Sequence, residues 1–279
     1  MSASLVAFCS DFGLDDPFVG LCHAAMLAVE PGTRIVDLTH GIPPQDIAAG
    51  ALVLADAAPW LPRAVLMAVV DPGVGTDRRG IVVAIKGNAG GVRASDRPRL
   101  LVGPDNGLLI EAANVLGGIG AAWALRPAKL PSPHGMTFDG RDLFAPAAAR
   151  LAAGANPGAL GEAIEPATLV TLRQRHAAAL TREGIDTHVR AVDRYGNAQL
   201  TAPAALLAEA GLTPGEAVVI DAAQATTYGR VTQAFANLPP AGLGVLPDAF
   251  GRIQIALRDG DAAAALGLHR GAAVRLSLG

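Results

Sequence analysis

The feature that most constrains this chain is the repeated arrival of an apolar run at an acidic residue. The runs VAFCSD (6–11), RIVDLTH (34–40), VLMAVVD (65–71) and LLVGPD (100–105) each stop at or near an Asp, and turn residues follow. A short apolar run bounded by turn signals reads as a buried strand. Between these runs lie segments with helical spacing, and strands that alternate with helices build a mainly parallel sheet through right-handed crossovers. The carboxyl ends of parallel strands are where open α/β sheets bind ligands, because the loops there converge on one crevice. Carboxylates at four strand ends point to a polar site rather than to a scaffold.

Read along the chain, 4–9 is a first strand with Asp11 just past its end. A helix follows, with Asp16 as its cap and Pro17 at its first position. Phe18, Leu21, Cys22, Ala25, Met26 and Val29 form its apolar face, and Pro31-Gly32 closes it. Further strands are expected at 34–38, 64–70, 81–86 and 99–102, and helices at 45–58 and 142–153. The GNAGGVRASDRP segment (87–98) is an excursion between two strands. After about residue 172 the chain becomes more polar, then offers THVRAVD, NAQLT, AVVID, TTYGRV, GLGVLPD, RIQIAL and AAVRLSL between turns. Short strands at such spacing suggest a small antiparallel barrel or sandwich. The expected division is an α/β domain over 1–172, a linker over 173–185 and a smaller β domain over 186–279.

Hydrophobic residues make up 51% of the 279 and charged residues 17%, enough for a sizeable core and too apolar for disorder. A net charge of −3 without any long Lys/Arg run argues against a nucleic-acid partner. RQRH (173–176) reads as linker. The most apolar stretch, 51–70, is broken by Asp56, Pro59, Pro62 and Arg63, so it falls short of the ~20 apolar residues of a membrane span. The opening MSASLVAFCSD has no basic region and is not read as a signal peptide. Cys9 and Cys22 sit on apolar faces and are expected to be buried and reduced, which makes the cytoplasm the expected compartment. No HExxH, CxxC or paired-His spacing calls for a metal, and no dinucleotide or Walker loop calls for a cofactor.

Taken in order, SDFGLDDPFVG (10–20), DLTHG (37–41), VVDPGVGTDRR (69–79), GPDNGLL (103–109), TFDGRDLFAP (137–146) and DRYGN (193–197) resemble the S-adenosylmethionine (SAM) hydroxide adenosyltransferase family. Its members are hydrolytic relatives of the fluorinating and chlorinating nucleoside synthases. The resemblance implies an α/β N-terminal domain, a C-terminal β-barrel domain and a homotrimer. It places the site between the N-terminal domain of one subunit and the C-terminal domain of the next. The implied reaction is attack of water at ribose C5′ of SAM, giving adenosine and methionine without a cofactor or metal.

Residue by residue, two readings stand for most positions. Asp11 and Asp16 serve as carboxylates at a helix N-terminus, or Asp16 accepts both ribose hydroxyls. Asp71 and Arg78 form a structural fork, or, as the resemblance implies, orient the attacking water; Arg78 matches the family spacing better than Arg79. Hydrolytic relatives carry His where this chain has Asp139. Asp139 is therefore read as holding the water itself, with Arg78 offsetting the added negative charge; a swing of His134 into the site, or impaired water activation in a mainly binding protein, are the alternatives. Phe138 is a nucleoside-facing wall or a core aromatic. Gly140 stands where halide-using relatives have a Ser or similar donor, which counts against a halide-dependent synthase. Asp193 and Asn197 match family positions that hold the amino-acid end of methionine, with Tyr195 beside them, although Tyr-Gly-Asn is also a good turn. Ala249, Phe250 and Gln254 depart from the family pattern, so a different sulfonium or nucleoside substrate stays open. Asp105-Asn106 lines the crevice or makes a turn. His40 is expected to fix its loop, and His23 to have no partner spacing for a metal.

Overall fold

The computed structural model describes residues 5–86, 99–127, 136–173, 177–222 and 225–279; the 87–98 excursion and His134 lie outside the described residues. The chain divides into two compact units, Met1–Arg173 and Gln174–Gly279.

In the first unit the elements run β1 (Leu5–Ser10), α1 (Phe18–Val29), β2 (Arg34–Thr39), α2 (Ile47–Ala57), β3 (Val65–Val69), β4 (Gly80–Ile85), β5 (Leu100–Pro104), α3 (Ile110–Val115), β6 (Ile119–Leu125), α4 (Ala145–Ala152), α5 (Pro157–Leu160) and β7 (Gly161–Ile164). They build one sheet in the order β2-β1-β3-β5-β4-β6-β7. The pairs β2–β1, β1–β3 and β3–β5 are parallel. β4 runs antiparallel between β5 and β6, and β7 antiparallel on β6, so five of the seven strands point one way. The four parallel neighbours are the four runs that stop at an acidic residue. Strand order reverses at β1, with β2 on one side and β3 on the other, which makes the crevice beyond β1 and β3 the topological switch point. Asp11 and Asp71 follow those two strands.

Alternate strand residues face opposite sides of the sheet. Phe8, Met67 and Val69 pack with Cys22 and Met26 of α1 and with Ala147, Ala148, Ala149 and Leu151 of α4. Cys9, Leu66, Ala68 and Val70 pack with Leu54 of α2 and Ala112 of α3 on the other side. Helices thus cover both faces. The first helix differs from its expected form. Pro17, not Asp16, occupies the cap position, and no side chain caps it. Its buried face is Val19, Cys22 and Met26, whereas Phe18 and Leu21 are exposed. Among the described residues, no helix is long and apolar enough to cross a membrane.

The second unit contains β8 (Ala179–Thr181), β9 (Gly184–Val192), β10 (Ala198–Pro203), α6 (Ala205–Glu209), β11 (Ala217–Ala222), β12 (Ala225–Val231), β13 (Leu243–Pro247), β14 (Arg252–Leu257), α7 (Ala262–Leu266) and β15 (Ala273–Leu278). The order β9-β10-β14-β13-β12-β11-β15 returns to β9 through the β15–β9 pair, which closes a seven-stranded barrel. Its pairs are antiparallel except β12–β13. Closure leaves no open edge in the ring, and β8 adds outside it on β9. Ile185, Leu200, Ile220, Val245, Ile255 and Leu276 fill the interior. β8 and the start of β9 fall in the span read as linker; all three β8 residues are exposed, so no apolar pattern marks them.

Candidate active site

After β3 the chain turns through 71–79, and two local bonds shape the loop. Thr76 Oγ1 donates to Gly73 O at 2.7 Å and accepts from Arg78 N–H at 3.3 Å. Gly75 has φ +79°, and a Cβ there would stand 2.9 Å from Met136 O, so a side chain is excluded on both counts. The loop returns Arg78 onto Asp71. Nε donates to Asp71 Oδ1 at 3.1 Å and Nη2 to Oδ2 at 2.5 Å, a two-pronged grip. The same Nη2 donates to Asp139 Oδ2 at 2.6 Å. Side-chain exposure is 9% for Arg78, 6% for Asp71 and 26% for Asp139. Two carboxylates therefore share one buried cation. Burial pushes the Asp71 carboxyl above the usual carboxylate range; Arg78 pulls it back and the Asp139 charge adds to the rise.

Asp139 immediately precedes a single π turn, Gly140–Phe144, that runs into α4. Pro146 lacks an N–H, and its ring crowds the carbonyl four residues back, so a regular helix cannot form there. Such widened turns are frequent at functional sites. Gly140 is closely packed: a Cβ would meet Phe12 Cζ at 2.9 Å and Phe138 Cε2 at 3.1 Å, so a side chain there has to displace a ring. The rings of Phe12, Phe18 and Phe138 pack edge to face, with centroids 5.2 to 6.0 Å apart. Arg141 lies over Phe138 at 5.1 Å and is held by Asp142, with Nε to Oδ1 at 2.7 Å. Phe12 and Arg141 were not singled out from sequence, and Phe18 was read only as part of the apolar face of its helix; the signal was present as company, inside the SDFGLDDPFVG and FDGRD blocks.

The two arginines of DRR separate cleanly. Arg79 Nε donates to Asp105 Oδ2 at 2.8 Å and its Nη2 to Thr168 O at 2.7 Å, while Asp105 Oδ1 accepts from Val170 N–H at 2.9 Å. Asn106 Nδ2 donates to Val70 O at 2.8 Å. Asp105 and Asn106 therefore tie segments together, and Arg79 works with them rather than with Asp71.

Asp11 Oδ2 accepts from Gln45 N–H at 2.8 Å, where Gln45 holds φ +63°. One of its oxygens is thus spent on the loop after β2. Asp16 is exposed. His40 is buried and does fix its loop: Nδ1 meets Ser10 Oγ at 2.7 Å and its carbonyl accepts from Gly13 N–H at 2.8 Å. Its Nε2 lies 3.1 Å from Asp37 Oδ1, and His23 Nε2 lies 2.9 Å from the same oxygen. His23 therefore has partners, supplied by β2 across the fold and not by local spacing. Ser10, His40 and Asp37 have the composition of a nucleophilic triad, but Ser10 is fully buried and offers no attacking oxygen. Cys9 and Cys22 are buried free thiols, both pushed up to about 12 by burial.

In the second unit, Asp193 and Asn197 are brought together. Asp193 Oδ1 accepts from the backbone N–H groups of Tyr195 (2.8 Å) and Asn197 (3.0 Å), and Oδ2 from Asn197 Nδ2 at 2.8 Å. Gly196 sits at φ +80° with Asp261 so close that no Cβ fits. Three donors already occupy this carboxylate, so the turn is built in its own right. Tyr195 is 73% exposed and stands clear of the core. Phe250 N–H binds Asp248 Oδ1 at 2.8 Å, and buried Gln254 donates to Pro247 O at 3.2 Å.

Two family models cover the chain: the SAM hydroxide adenosyltransferase N-terminal domain matches residues 6–161 and the C-terminal domain residues 187–275. The chain belongs to the SAM hydroxide adenosyltransferase family. Within it, the chain is similar to the (R)-S-adenosyl-L-methionine hydrolase of Salinispora arenicola, 41% identical over 279 residues, covering 100% of this chain and 99% of the relative. A fluorinase from an Actinoplanes species is 29% identical over 179 residues, covering 60% of each chain. Among solved structures, an uncharacterized conserved protein from Thermotoga maritima superposes with a TM-score of 0.87 at 27% identity, covering 97% of this chain and 99% of that one.

Proposed function

We propose that this SAM hydroxide adenosyltransferase hydrolyses S-adenosyl-L-methionine to adenosine and L-methionine, with Asp71, Arg78 and Asp139 orienting the attacking water. Full-length similarity to a named hydrolase supports the reaction. The observation that carries the site is the joint grip of Arg78 on Asp71 and Asp139. Asp71 uses both oxygens on Arg78, which fixes the guanidinium. Arg78 takes only Oδ2 of Asp139, so Oδ1 serves to accept a proton from water. Water oxygen then forms a bond to ribose C5′ as the C5′–sulfur bond breaks. The sulfur leaves as a neutral thioether, and the water proton passes through Asp139 to solvent. A sulfonium is already a good leaving group, so little base strength is needed and positioning contributes most. Asp139 thereby does the work of the His that hydrolytic relatives carry.

In this reading the exposed Asp16 accepts the ribose hydroxyls, and Phe138 walls the nucleoside. Asp193, Tyr195 and Asn197 receive the amino-acid end of methionine; the turn leaves Asp193 one lone-pair site of about four for the ammonium. Assembly as a homotrimer, with the site shared between subunits, and a cytoplasmic location belong to the same reading. Gly140 speaks against a halide-dependent synthase, because it offers no side-chain donor where halide-using relatives have a Ser or similar residue. The test is incubation of purified protein with SAM and chromatography for products. Equal amounts of adenosine and methionine, absent with Asp71→Asn, support hydrolysis. Ligand-induced thermal stabilisation without products points to a binding protein.

A further inference from the structure

We propose that His23, Asp37 and His40 form a binding site for a zinc-class divalent cation, at the edge of the sheet and independent of the reaction assigned above. The three residues come from α1, β2 and the turn after β2, and their ligand atoms all lie within 4.8 Å of one another. His23 Nε2 and His40 Nε2 stand 2.9 and 3.1 Å from Asp37 Oδ1. A tetrahedral ion at ~2.0–2.1 Å from each ligand atom keeps neighbouring ligands about 3.3 Å apart, so small side-chain movements suffice.

A bland reading makes Asp37 simply the acceptor of two imidazole N–H groups. His40 argues otherwise. Its side chain is 3% exposed, and its Nε2 is buried without a hydrogen bond of acceptable direction, despite lying 3.1 Å from Asp37. Its other nitrogen is engaged by the fully buried Ser10 hydroxyl at 2.7 Å. If Nδ1–H donates to Ser10, Nε2 turns a lone pair toward a carboxylate, an arrangement that a cation relieves. If Ser10 donates instead, the Nε2 proton is left unsatisfied. A buried polar atom in either state is costly, and a metal ion resolves the first. Imidazoles that bind metals commonly have the other ring nitrogen hydrogen-bonded in this way, which fixes tautomer and orientation. Phe8 braces both rings edge to face, at 4.6 Å from His40 and 6.2 Å from His23. Asp37 and His23 are 39% and 29% exposed in their side chains, so the open face admits an ion from solvent.

Two imidazoles and one carboxylate suit zinc, cobalt or nickel; magnesium and calcium require mainly oxygen ligands. The ion would clamp α1 and the end of β2 to Ser10 at the end of β1.

The test titrates chelator-treated full-length protein with cobalt(II), followed by visible absorption, and then with zinc. The expected result is saturable binding of one ion per chain, four-coordinate cobalt bands that zinc abolishes, and a rise in Tm with zinc. His23→Gln, a partly exposed helix position, and Asp37→Asn should each lose the bands while keeping the folded circular dichroism. Ser10→Ala should weaken binding by roughly 10–100-fold. Absence of bands and of any Tm rise in the unaltered protein overturns the proposal. So do bands of unchanged strength in both ligand variants, which would place the ion elsewhere.

Discussion

Asp139 lies 2.6 Å from Arg78 Nη2, the nitrogen that also meets Asp71, although 61 residues of sequence separate the pair. The loop after β3 and the start of the π turn meet through this bond. It makes the site a carboxylate–guanidinium–carboxylate unit rather than an Asp–Arg–His set.

If Asp139 takes the water proton, Asp139→Asn should lower kcat by ~10²–10⁴-fold, the usual worth of a positioned base, with KM little changed. Asp139→His, the residue carried by hydrolytic relatives, should retain measurable turnover. Steady-state kinetics of the two variants checks this; an Asn variant as active as the unaltered enzyme removes Asp139 from the chemistry.

Asp71 gives a pH prediction with a definite sign. Its folded carboxyl is raised by burial above the unfolded value of about 3.9. Below the unfolded value both states are protonated and the group has no effect on stability. As pH climbs from there through the folded value, the native state surrenders a proton it holds more tightly, and stability falls. Urea denaturation should therefore show the unaltered protein losing stability relative to Asp71→Asn as pH rises above the unfolded carboxylate value. Activity should run the other way, with an acid limb of kcat/KM displaced above the ordinary carboxylate range.

The neighbouring arginines should fail differently. Arg79→Ala leaves buried Asp105 without its cation; removal of one partner of a buried pair costs about 3–5 kcal/mol, and the 35% exposure of Arg79 reduces this to roughly 1–3 kcal/mol. Its kcat should be nearly unchanged. Arg78→Ala should abolish turnover. Thermal melts and kinetics on both variants separate the roles.

Much of this was legible in sequence, for identifiable reasons. The four acid-terminated runs proved to be the four adjacent parallel strands: β1, β3 and β5 are buried and apolar up to the charge that follows them, whereas β2 is a partly exposed edge strand that carries Arg34 and Asp37 within it. Family spacing favoured Arg78 over Arg79 as the partner of Asp71; the structure pairs Arg78 with Asp71 and engages Arg79 with Asp105 and Thr168, long-range contacts with no local pattern. His23 could not be read, since its partners come from β2. β8 escaped because an exposed three-residue strand has no apolar alternation. The helix start differs by one residue, with Pro17 at the cap position and no side chain capping it, where Asp16 was expected.

Gly140 makes a packing prediction. Gly140→Ser should displace Phe12 or Phe138, costing about 1–3 kcal/mol by overpacking, and should lower turnover without creating fluoride or chloride dependence. Product analysis with and without halide checks it.

The central claim is that water attacks C5′, and ¹⁸O-labelled water tests it most directly. SAM turned over in labelled water, without halide, should give adenosine carrying one ¹⁸O at its 5′ hydroxyl and methionine carrying none. Unlabelled adenosine, or no adenosine unless halide is added, would contradict the account.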